Sequence, residues 1–244
     1  MTYPRLAGSV PTVTADQMAA VDRLAVGPYG IDLLQMMELA GRALARVTQT
    51  TIESPGTRVT VMAGGGGNGG GAMTAARRLV GYGFDVDVVL DREPGRLTGA
   101  AAHQAASLEA IGVRPSTRLP TIAGNVILDG LIGYGLTDAP SGPTADLIAW
   151  IVESDATVIS LDVPSGVDAT TGETPGAAVH PHVTVTLALP KSGLIRQGAE
   201  GALLLADIAI PPALWRDHFD LEIGELFIDG DIVTLTGAQL SEPT

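Results

Sequence analysis

The sequence predicts an α/β protein of three layers, in which a mostly parallel sheet lies between helices and two helices precede the first strand. Between residues 58 and 208, short apolar runs of strand length alternate with longer stretches that carry apolar residues at helical spacing. The short runs are apolar along their length, as strands covered on both faces are. Alternating strands and helices of this kind favour a parallel sheet with helices on both sides.

Residues 13–50 predict the two leading helices. Thr14, in the segment VTADQ, is placed to cap the first helix, and MAAVDRLA continues it with apolar residues at helical spacing. The segment DLLQMMELAGRALARV repeats that spacing and predicts the second helix. The turn SPGT at 54–57 ends this helical part, because Pro and Gly favour turns.

The rest of the chain predicts six strands with helices between them. The expected strands are RVTVMA (58–63), FDVDVVL (84–90), NVILD (125–129), ATVISLD (156–162), VTVTLAL (183–189) and GALLLADI (201–208), and the expected helices are 72–83, 97–112 and 143–154. The acidic segment GELFIDGDIVTL at 224–235 predicts a terminal hairpin or an appended arm. Since no linker interrupts the chain, we expect one domain over 1–244, with a core at about 13–212 and an acidic extension at 213–244.

Composition and charge narrow the classes of function. Asp and Glu number 27 against 14 Lys and Arg, a net charge of −13, and no basic run is present, so we expect neither nucleic acid nor a membrane as partner. The absence of cysteine excludes disulfides, thiolate metal sites and a cysteine nucleophile. No apolar segment approaches the roughly 18 residues of a membrane span, and we expect a soluble cytoplasmic protein.

A run of glycines, AGGGGNGGG at 63–71, follows the first predicted strand. Each glycine costs about 0.5–1 kcal/mol relative to alanine inside a helix or strand, so bare backbone must be required here. A loop of this kind before a helix offers backbone N–H groups to an anion such as a pyrophosphate. Gly65, Gly67 and Gly70 match the fingerprint GxGxxG only weakly, but Asp91 follows by about 20 residues, as the ribose-binding acid of a dehydrogenase does.

Polar residues follow three of the predicted strands. Asn68 lies in the glycine run, Asp129 in LDGLIGYG, and Asp162 and Ser165 in LDVPSGVD. Because ligands of open parallel sheets bind beyond the carboxyl ends of the strands, we expect these residues to share one crevice. A single aspartate at a strand end often only hydrogen-bonds the next turn, and that interpretation stays open for each of them.

Further sequence features argue against a serine hydrolase and against a kinase or ATPase. Pro164 precedes Ser165, so the serine is not in a nucleophile elbow and serves as an oxygen ligand or a turn residue. Lys191, in LALPKSGL, is either solvated or in contact with an anion. The chain has no lysine-led phosphate loop, which argues against a kinase or ATPase of that type.

The ordered set of motifs resembles the YjeF N-terminal domain family, whose best-known members are NAD(P)H-hydrate epimerases. The resemblance covers about 13–212, through VTADQMAAVDRLA, GIDLLQMMELAGRA, GGGGNGGGAMTAARRL, VILDGLIGYGL, SLDVPSGVDATTGE, VTVTLALPKSGL and GALLLADIAIP. It implies a Rossmann-like αβα sandwich and an isomerase that interconverts the R and S forms of nicotinamide cofactors hydrated at C6. It also implies a homodimer and a separate dehydratase as the pathway partner.

The resemblance implies roles for individual residues. Asp162 is expected to be the general acid/base, and Asn68, Asp129 and Ser165 are expected to help bind one potassium ion, a hard cation that suits oxygen ligands. The glycine run and the loop GYGLTDA are expected to hold phosphate. The expected substrate-binding residues are Gly67, Asn68, Gly69, Gly70, Gly71, Gly133, Tyr134, Gly135, Leu136, Thr137, Asp138, Ala139 and Lys191.

Three positions depart from the family pattern. Gly67 and Gly71 stand where N-N-G-G-D-G has its first asparagine and its aspartate, and Leu39 replaces the asparagine of M-E-N-A-G. Losing one buried hydrogen-bond partner costs about 1–3 kcal/mol, so we expect a changed or broader substrate. Three hypotheses stay open: a hydrate epimerase or close derivative acting through Asp162, a non-catalytic binding or interaction module of the same fold, and a nicotinamide dehydrogenase with Asp91 on the ribose.

Overall fold

A computed structural model describes residues 3–6, 8–52, 56–196, 201–236 and 240–241 of the chain. The strands are β1 (Val10–Pro11), β2 (Arg58–Ala63), β3 (Asp85–Leu90), β4 (Val126–Gly130), β5 (Thr157–Leu161), β6 (Val183–Leu187), β7 (Ala202–Ala206), β8 (Ile232–Leu235) and β9 (Leu240–Ser241). The α-helices are α1 (Ala15–Val26), α2 (Leu33–Thr51), α3 (Gly67–Gly81), α4 (Gly99–Ala110), α5 (Gly142–Val152), α6 (Ser192–Arg196) and α7 (Pro212–Phe219), and a 3₁₀ helix lies at Pro94–Arg96.

The main sheet has the strand order β3-β2-β4-β5-β6-β7-β8. Its neighbouring strands are parallel except for β8, which is antiparallel to β7. The chain leaves β2 toward β3 on one side and returns to β4 on the other, so the strand order reverses between β2 and β4. The connecting loops diverge at such a point and leave a crevice for a ligand. The predicted α/β fold with a mostly parallel sheet is confirmed.

Alternate strand residues face two different helical layers. Val61 of β2 belongs to a buried cluster with residues of α2, α3 and α4, whereas its neighbour Met62 belongs to a cluster with Ile148 of α5. At the far end of the sheet, Leu205 of β7 shares a third cluster with residues of α1 and α7, such as Trp215. The period of two along a strand therefore places the sheet between helices on both faces, as predicted.

The first helix begins at the predicted cap, Thr14, and the second begins at a cap of the same kind that was not predicted. The Thr14 hydroxyl accepts a hydrogen bond from the backbone N–H of Gln17 at 3.2 Å, and the Gln17 side chain accepts one from the Thr14 N–H at 2.8 Å. Asp32 and Gln35 form the same reciprocal capping box at the start of α2. These caps satisfy N–H groups that a helix start leaves free and fix where both helices begin.

Tight packing of α2 against α3 places α2 close to the loop after β2. A Cβ on Gly41 would lie 2.4 Å from the Cβ of Thr74, so only glycine allows the two helices to approach this closely. Glu38 of α2 also forms ion pairs with Arg77 and Arg78 of α3. The close approach and the charge pairs together hold α2 against α3, with Met37 of α2 beside Gly70 of the glycine run.

The observed elements differ from the predicted ones at the glycine run and near the C-terminus, and the structure adds short elements that were not predicted, namely β1, β9, α6, α7 and the 3₁₀ helix. The six predicted strands are present as β2 to β7, with ends within two residues of the prediction. However, α3 begins at Gly67, five residues before the predicted start, so it includes the second half of the glycine run. Residues 224–235 form no separate hairpin, because β8 adds to the main sheet beside β7.

None of the helices in the described part of the chain is long and apolar enough to cross a membrane.

Candidate active site

A cavity of about 380 Å³ lies beyond the carboxyl ends of the central strands. The loops after β2, β4, β5 and β6 line it, together with α1 and α2. Its lining residues are Met18, Asp22, Leu33, Met36, Met37, Ala40, Gly66, Gly67, Asn68, Leu131, Ile132, Gly133, Tyr134, Gly135, Leu161, Asp162, Leu187, Lys191 and Ile208. The cavity lies at the reversal of strand order, where an open parallel sheet binds its ligands.

The glycine run serves mainly the packing of the protein itself. A Cβ on Gly69 would lie 1.8 Å from the carbonyl oxygen of Gly64, and one on Gly70 would lie 2.6 Å from the Cε of Met37. A Cβ on Gly71 would meet the Leu161 side chain at 2.9 Å. Intramolecular contacts therefore explain these three glycines, and only the start of α3, at Gly66–Asn68, lines the cavity.

Asp162 directly follows β5 and lines the cavity. It adopts a left-handed φ of 66°, which aspartate tolerates better than most residues, and it is 3% exposed. Its Oδ1 accepts hydrogen bonds from Lys191 Nζ and, at 3.3 Å, from the Leu187 N–H. Its Oδ2 would lie 3.3 Å from a Cβ on Gly133, so the bare glycine leaves space beside this oxygen. Asp162 thus has one anchored oxygen and one open oxygen.

Lys191 is buried in the cavity wall and is not solvated. It is 1% exposed, and its Nζ donates to Asp162 and, at 2.9 Å, to the carbonyl oxygen of Leu187. A buried ammonium group needs such partners, because an unpaired charge in the interior is strongly unfavourable. Lys191 therefore orients Asp162 and supplies its counter-charge.

Asp129 lies near the end of β4, two residues before Leu131, which lines the cavity. It is fully buried and accepts hydrogen bonds from the Ser165 N–H at 2.9 Å, the Ser160 hydroxyl at 2.7 Å, the Leu131 N–H at 3.3 Å and the Ser165 hydroxyl. Burial raises the pKa of Asp129, although these hydrogen bonds act in the opposite direction. No basic side chain among the described residues pairs with it.

Oxygen atoms close to Asp129 suit a cation. The Ser165 hydroxyl also lies 3.2 Å from the carbonyl oxygen of Ile132, so its proton can turn to that oxygen and release a lone pair of Asp129. The buried Nδ2 of Asn68 has no hydrogen-bond partner among the described residues. Rotation of the Asn68 amide by half a turn exchanges its oxygen and nitrogen atoms. The oxygen would then occupy the position that now lacks a partner, and it could bind a cation there. No group of three His, Cys, Asp or Glu side chains is placed for a metal in the described part of the chain.

Asp22 is a cavity residue that the sequence analysis missed. It projects from α1, and its Oδ2 accepts a hydrogen bond from the hydroxyl of Tyr134, which lies in the loop after β4. Burial and the adjacent Asp22 raise the pKa of Tyr134 above its ordinary value. The available signal was Asp22 standing four residues after Met18, on the otherwise apolar face of α1.

Several expected residues lie away from the cavity. Of the loop at 133–139, the first three residues line the cavity, whereas Leu136, Thr137, Asp138 and Ala139 are not among its lining residues. Of the three departures from the family pattern, Gly67 lines the cavity but Gly71 and Leu39 do not. The structure therefore brings together Asn68, Gly133, Tyr134, Gly135, Asp162 and Lys191, with Asp129 and Ser165 beneath them.

Asp91 lies at a separate cavity beyond the end of β3. Its carboxylate accepts two hydrogen bonds from Arg92, at 2.8 and 2.9 Å, and one from the Thr144 hydroxyl at 3.1 Å. A carboxylate has about four acceptor positions, so three of those of Asp91 are filled within the protein. Most of its capacity to accept from a ribose hydroxyl is therefore already used.

The chain is similar in sequence to a known protein family and to several of its members. The model of the family described as YjeF-related protein N-terminus matches residues 33–193. The chain is 43% identical over 235 residues to an NAD(P)H-hydrate epimerase of Dehalogenimonas lykanthroporepellens, covering 95% of both proteins. It is 36% identical to an NAD(P)H-hydrate epimerase of Truepera radiovictrix, covering 84% of this chain and 93% of the relative.

Two other similar proteins are a longer relative and a solved structure of lower sequence identity. The chain is 38% identical to a bifunctional NAD(P)H-hydrate repair enzyme Nnr of Hyperthermus butylicus, covering 75% of this chain but 36% of the relative. The crystal structure of yeast ynu0 has a TM-score of 0.80 and 24% sequence identity, covering 92% of this chain and 99% of the yeast chain. The likeness to the yeast structure confirms the Rossmann-like arrangement of the fold.

Proposed function

The chain belongs to the family of YjeF-related protein N-termini, and we propose on that premise that it is an NAD(P)H-hydrate epimerase. The proposed substrates are the R and S forms of NADH or NADPH hydrated at C6. The observation that carries the proposal is the buried Asp162, whose Oδ1 is anchored by Lys191 while Oδ2 faces the cavity. The 43% identity to a named epimerase over 95% of both chains supports the same conclusion.

The proposed chemistry needs an acid and a base beside C6 of the hydrated ring. The C6 hydroxyl leaves as water when it is protonated, while the lone pair of the adjacent ring nitrogen forms an iminium. Water then adds to C6 from the opposite face and gives the other epimer. Asp162 is placed for proton transfer through Oδ2, because its other oxygen is held and its orientation is fixed by Lys191.

We infer that Asn68, Asp129 and Ser165 hold a potassium ion. The fit rests on the fully buried Asp129 carboxylate and on the buried Nδ2 of Asn68. Among the described residues, the first has no basic partner and the second has no hydrogen-bond partner. When bound, the ion would supply a positive charge that neutralises Asp129 and steadies the three loops. Oxygen ligands suit a hard, monovalent cation.

The rest of the substrate would extend from the cavity along the start of α3. Gly66 and Gly67 line the cavity, and a Cβ on either residue would meet nothing within 4 Å, so both leave room for a phosphate group. Backbone N–H groups at the start of a helix favour such an anion. Some relatives are named bifunctional NAD(P)H-hydrate repair enzymes, and we infer that a dehydratase is the pathway partner of this protein.

The two alternatives are less well supported. A binding module has no need of a buried, ion-paired carboxyl group that faces a cavity, and the departures at Gly71 and Leu39 lie outside the cavity lining. A dehydrogenase would use Asp91 on the ribose, but the hydrogen bonds from Arg92 and Thr144 occupy most of that carboxylate.

A coupled assay tests the proposed function. The R form of NADH hydrated at C6 (R-NADHX) is mixed with a dehydratase specific for the S form (S-NADHX). Consumption of the hydrate is followed with and without this protein. Full consumption with the wild-type protein, lost with Asp162→Asn, is the expected result. Adenine nucleotide binding without consumption would favour the binding module, and a spectral change with NAD and a hydroxy substrate would favour the dehydrogenase.

A further inference from the structure

The cavity contains a second carboxyl group that the chemistry of Asp162 leaves unused. Asp22 lines the cavity from α1, and its Oδ2 accepts a hydrogen bond from Tyr134. Its Oδ1 accepts no hydrogen bond from any described residue, and neither does the Oδ2 of Asp162. Two carboxyl groups from different elements, each with one anchored and one open oxygen, therefore line the same cavity.

The two carboxyl groups have different electrostatic surroundings. Asp162 is ion-paired with the buried Lys191, whereas the partner of Asp22 is the neutral hydroxyl group of Tyr134. Burial raises the pKa of Asp22, and the charge of Asp162 adds to this effect, against the opposing effects of Tyr134 and Lys191. When two titratable groups of one site lie in such different surroundings, one serves as acid and the other as base.

We propose that Asp22 is a second catalytic residue, which acts on the face of the hydrated nicotinamide ring opposite to Asp162. This inference rests on the proposed epimerase function. An epimerisation that removes a hydroxyl from one face and adds water to the other needs a proton donor and a proton acceptor on opposite faces. With Asp162 alone, the ring would have to turn over inside a cavity of about 380 Å³ between the two steps.

The proposed steps balance in atoms and electrons. Protonated Asp22 gives its proton to the C6 hydroxyl, which leaves as water with the electron pair of the C–O bond, while the nitrogen lone pair forms the C=N bond of the iminium. A water molecule on the other face forms a new C–O bond and passes a proton to Asp162. One water enters, one leaves, and one proton moves from Asp22 to Asp162. Before the next turnover in the same direction, Asp162 releases its proton to solvent and Asp22 takes one up, and the reverse reaction moves a proton from Asp162 to Asp22.

Tyr134 is a positioning residue in this scheme. Its hydroxyl holds Oδ2 of Asp22, so that Oδ1 stays available to the substrate. The same hydrogen bond joins α1 to the loop after β4. Tyr134→Phe is expected to lower kcat by about tenfold with little change in KM, because it removes orientation but not the carboxyl group.

Isotope exchange in H₂¹⁸O tests the proposal. Purified R-NADHX and S-NADHX are incubated separately with wild-type protein, Asp22→Asn and Asp162→Asn, and both ¹⁸O content and epimer identity are measured. The wild-type protein is expected to couple exchange to inversion. Each variant is expected to lose inversion by at least about 100-fold and to keep exchange, without inversion, of one epimer only. The retained epimer is expected to differ between the two variants, because a different acid remains in each.

Controls separate a catalytic role from a structural one. Asp16→Asn makes the same chemical change at an exposed position of α1 and is expected to leave inversion unchanged. Asp22→Glu restores a carboxyl group and is expected to regain at least tenfold in rate over Asp22→Asn, whose folding is checked by thermal denaturation. Inversion by Asp22→Asn within a few-fold of wild type, or exchange of the same epimer by both variants, would overturn the role of Asp22. A folded wild-type protein that neither inverts nor exchanges either epimer would instead refute the proposed function itself, and this inference with it.

Discussion

Breaking the buried ion pair of Asp162 and Lys191 is expected to lower the stability of the protein by an amount that follows from its burial. Lys191→Met removes the ammonium group, fills a similar volume, and leaves the Asp162 carboxylate 3% exposed without its counter-charge. Breaking a buried pair by removing one partner costs about 3–5 kcal/mol. For a chain of this length, each kcal/mol corresponds to about 2–4 °C in the melting temperature, so we expect a loss of roughly 6–20 °C.

A double-mutant cycle measures the pair itself. Because replacing both members of a buried pair is often neutral or stabilising, Asp162→Asn together with Lys191→Met is expected to recover at least half of the lost stability. The exposed pair of Arg42 and Asp231 provides the control, and Arg42→Met is expected to cost less than about 1 kcal/mol. Urea denaturation of the wild-type protein and of the two single variants and the double variant of each pair, with Asp231→Asn as the second change in the control, gives the two coupling free energies. A coupling of the same size for the buried and exposed pairs would refute the reasoning.

Three further predictions concern the glycine run, Asp22 and the proposed ion. Gly69→Ala is expected to destabilise the protein by more than about 3 kcal/mol, because its Cβ would lie 1.8 Å from the Gly64 carbonyl oxygen. Gly67→Ala is expected to cost less than about 1 kcal/mol, because its Cβ would meet nothing within 4 Å. Equal urea midpoints for the two variants would contradict this. Since burial raises the pKa of Asp22 in the folded state, its ionisation destabilises the fold, and this effect grows as the pH rises from about 4 through the raised pKa. Asp22→Asn should therefore gain stability relative to wild type as the pH rises over that range, and a difference that stays constant with pH would contradict the assignment. Potassium chloride at 100 times its Kd is expected to add about 2.7 kcal/mol of stability over choline chloride at equal ionic strength, and Ser165→Ala is expected to reduce that gain.

The residues at strand ends could be predicted from the sequence because their placement follows from topology. The carboxyl ends of parallel strands meet at one edge, so Asn68, Asp129 and Asp162 had to lie near one another once the strands were assigned. The ligand role of the glycines could not be judged in the same way. Gly69, for example, is required by its contact with Gly64, and no local pattern distinguishes that packing from a phosphate loop.

The contribution of the N-terminal helices to the site lay beyond local patterns. Asp22 and Tyr134 are 112 residues apart in sequence, and their hydrogen bond depends on how α1 packs over the sheet. Their pairing required the tertiary structure. Likewise, β8 lies beside β7 because its apolar residues, such as Val233, cover the edge of the sheet, whereas the acidic composition around it suggested an appended arm. Long-range packing therefore decided the parts that sequence patterns left open.

The rate of epimerisation by Asp162→Asn, in protein whose melting temperature and potassium response are also measured, tests the central claim most directly. The side chain would keep its shape but could no longer exchange a proton, and the rate is expected to fall by about 10²- to 10⁴-fold while substrate binding persists. Epimerisation by this variant at close to the wild-type rate would contradict a catalytic role for the Asp162 carboxyl group.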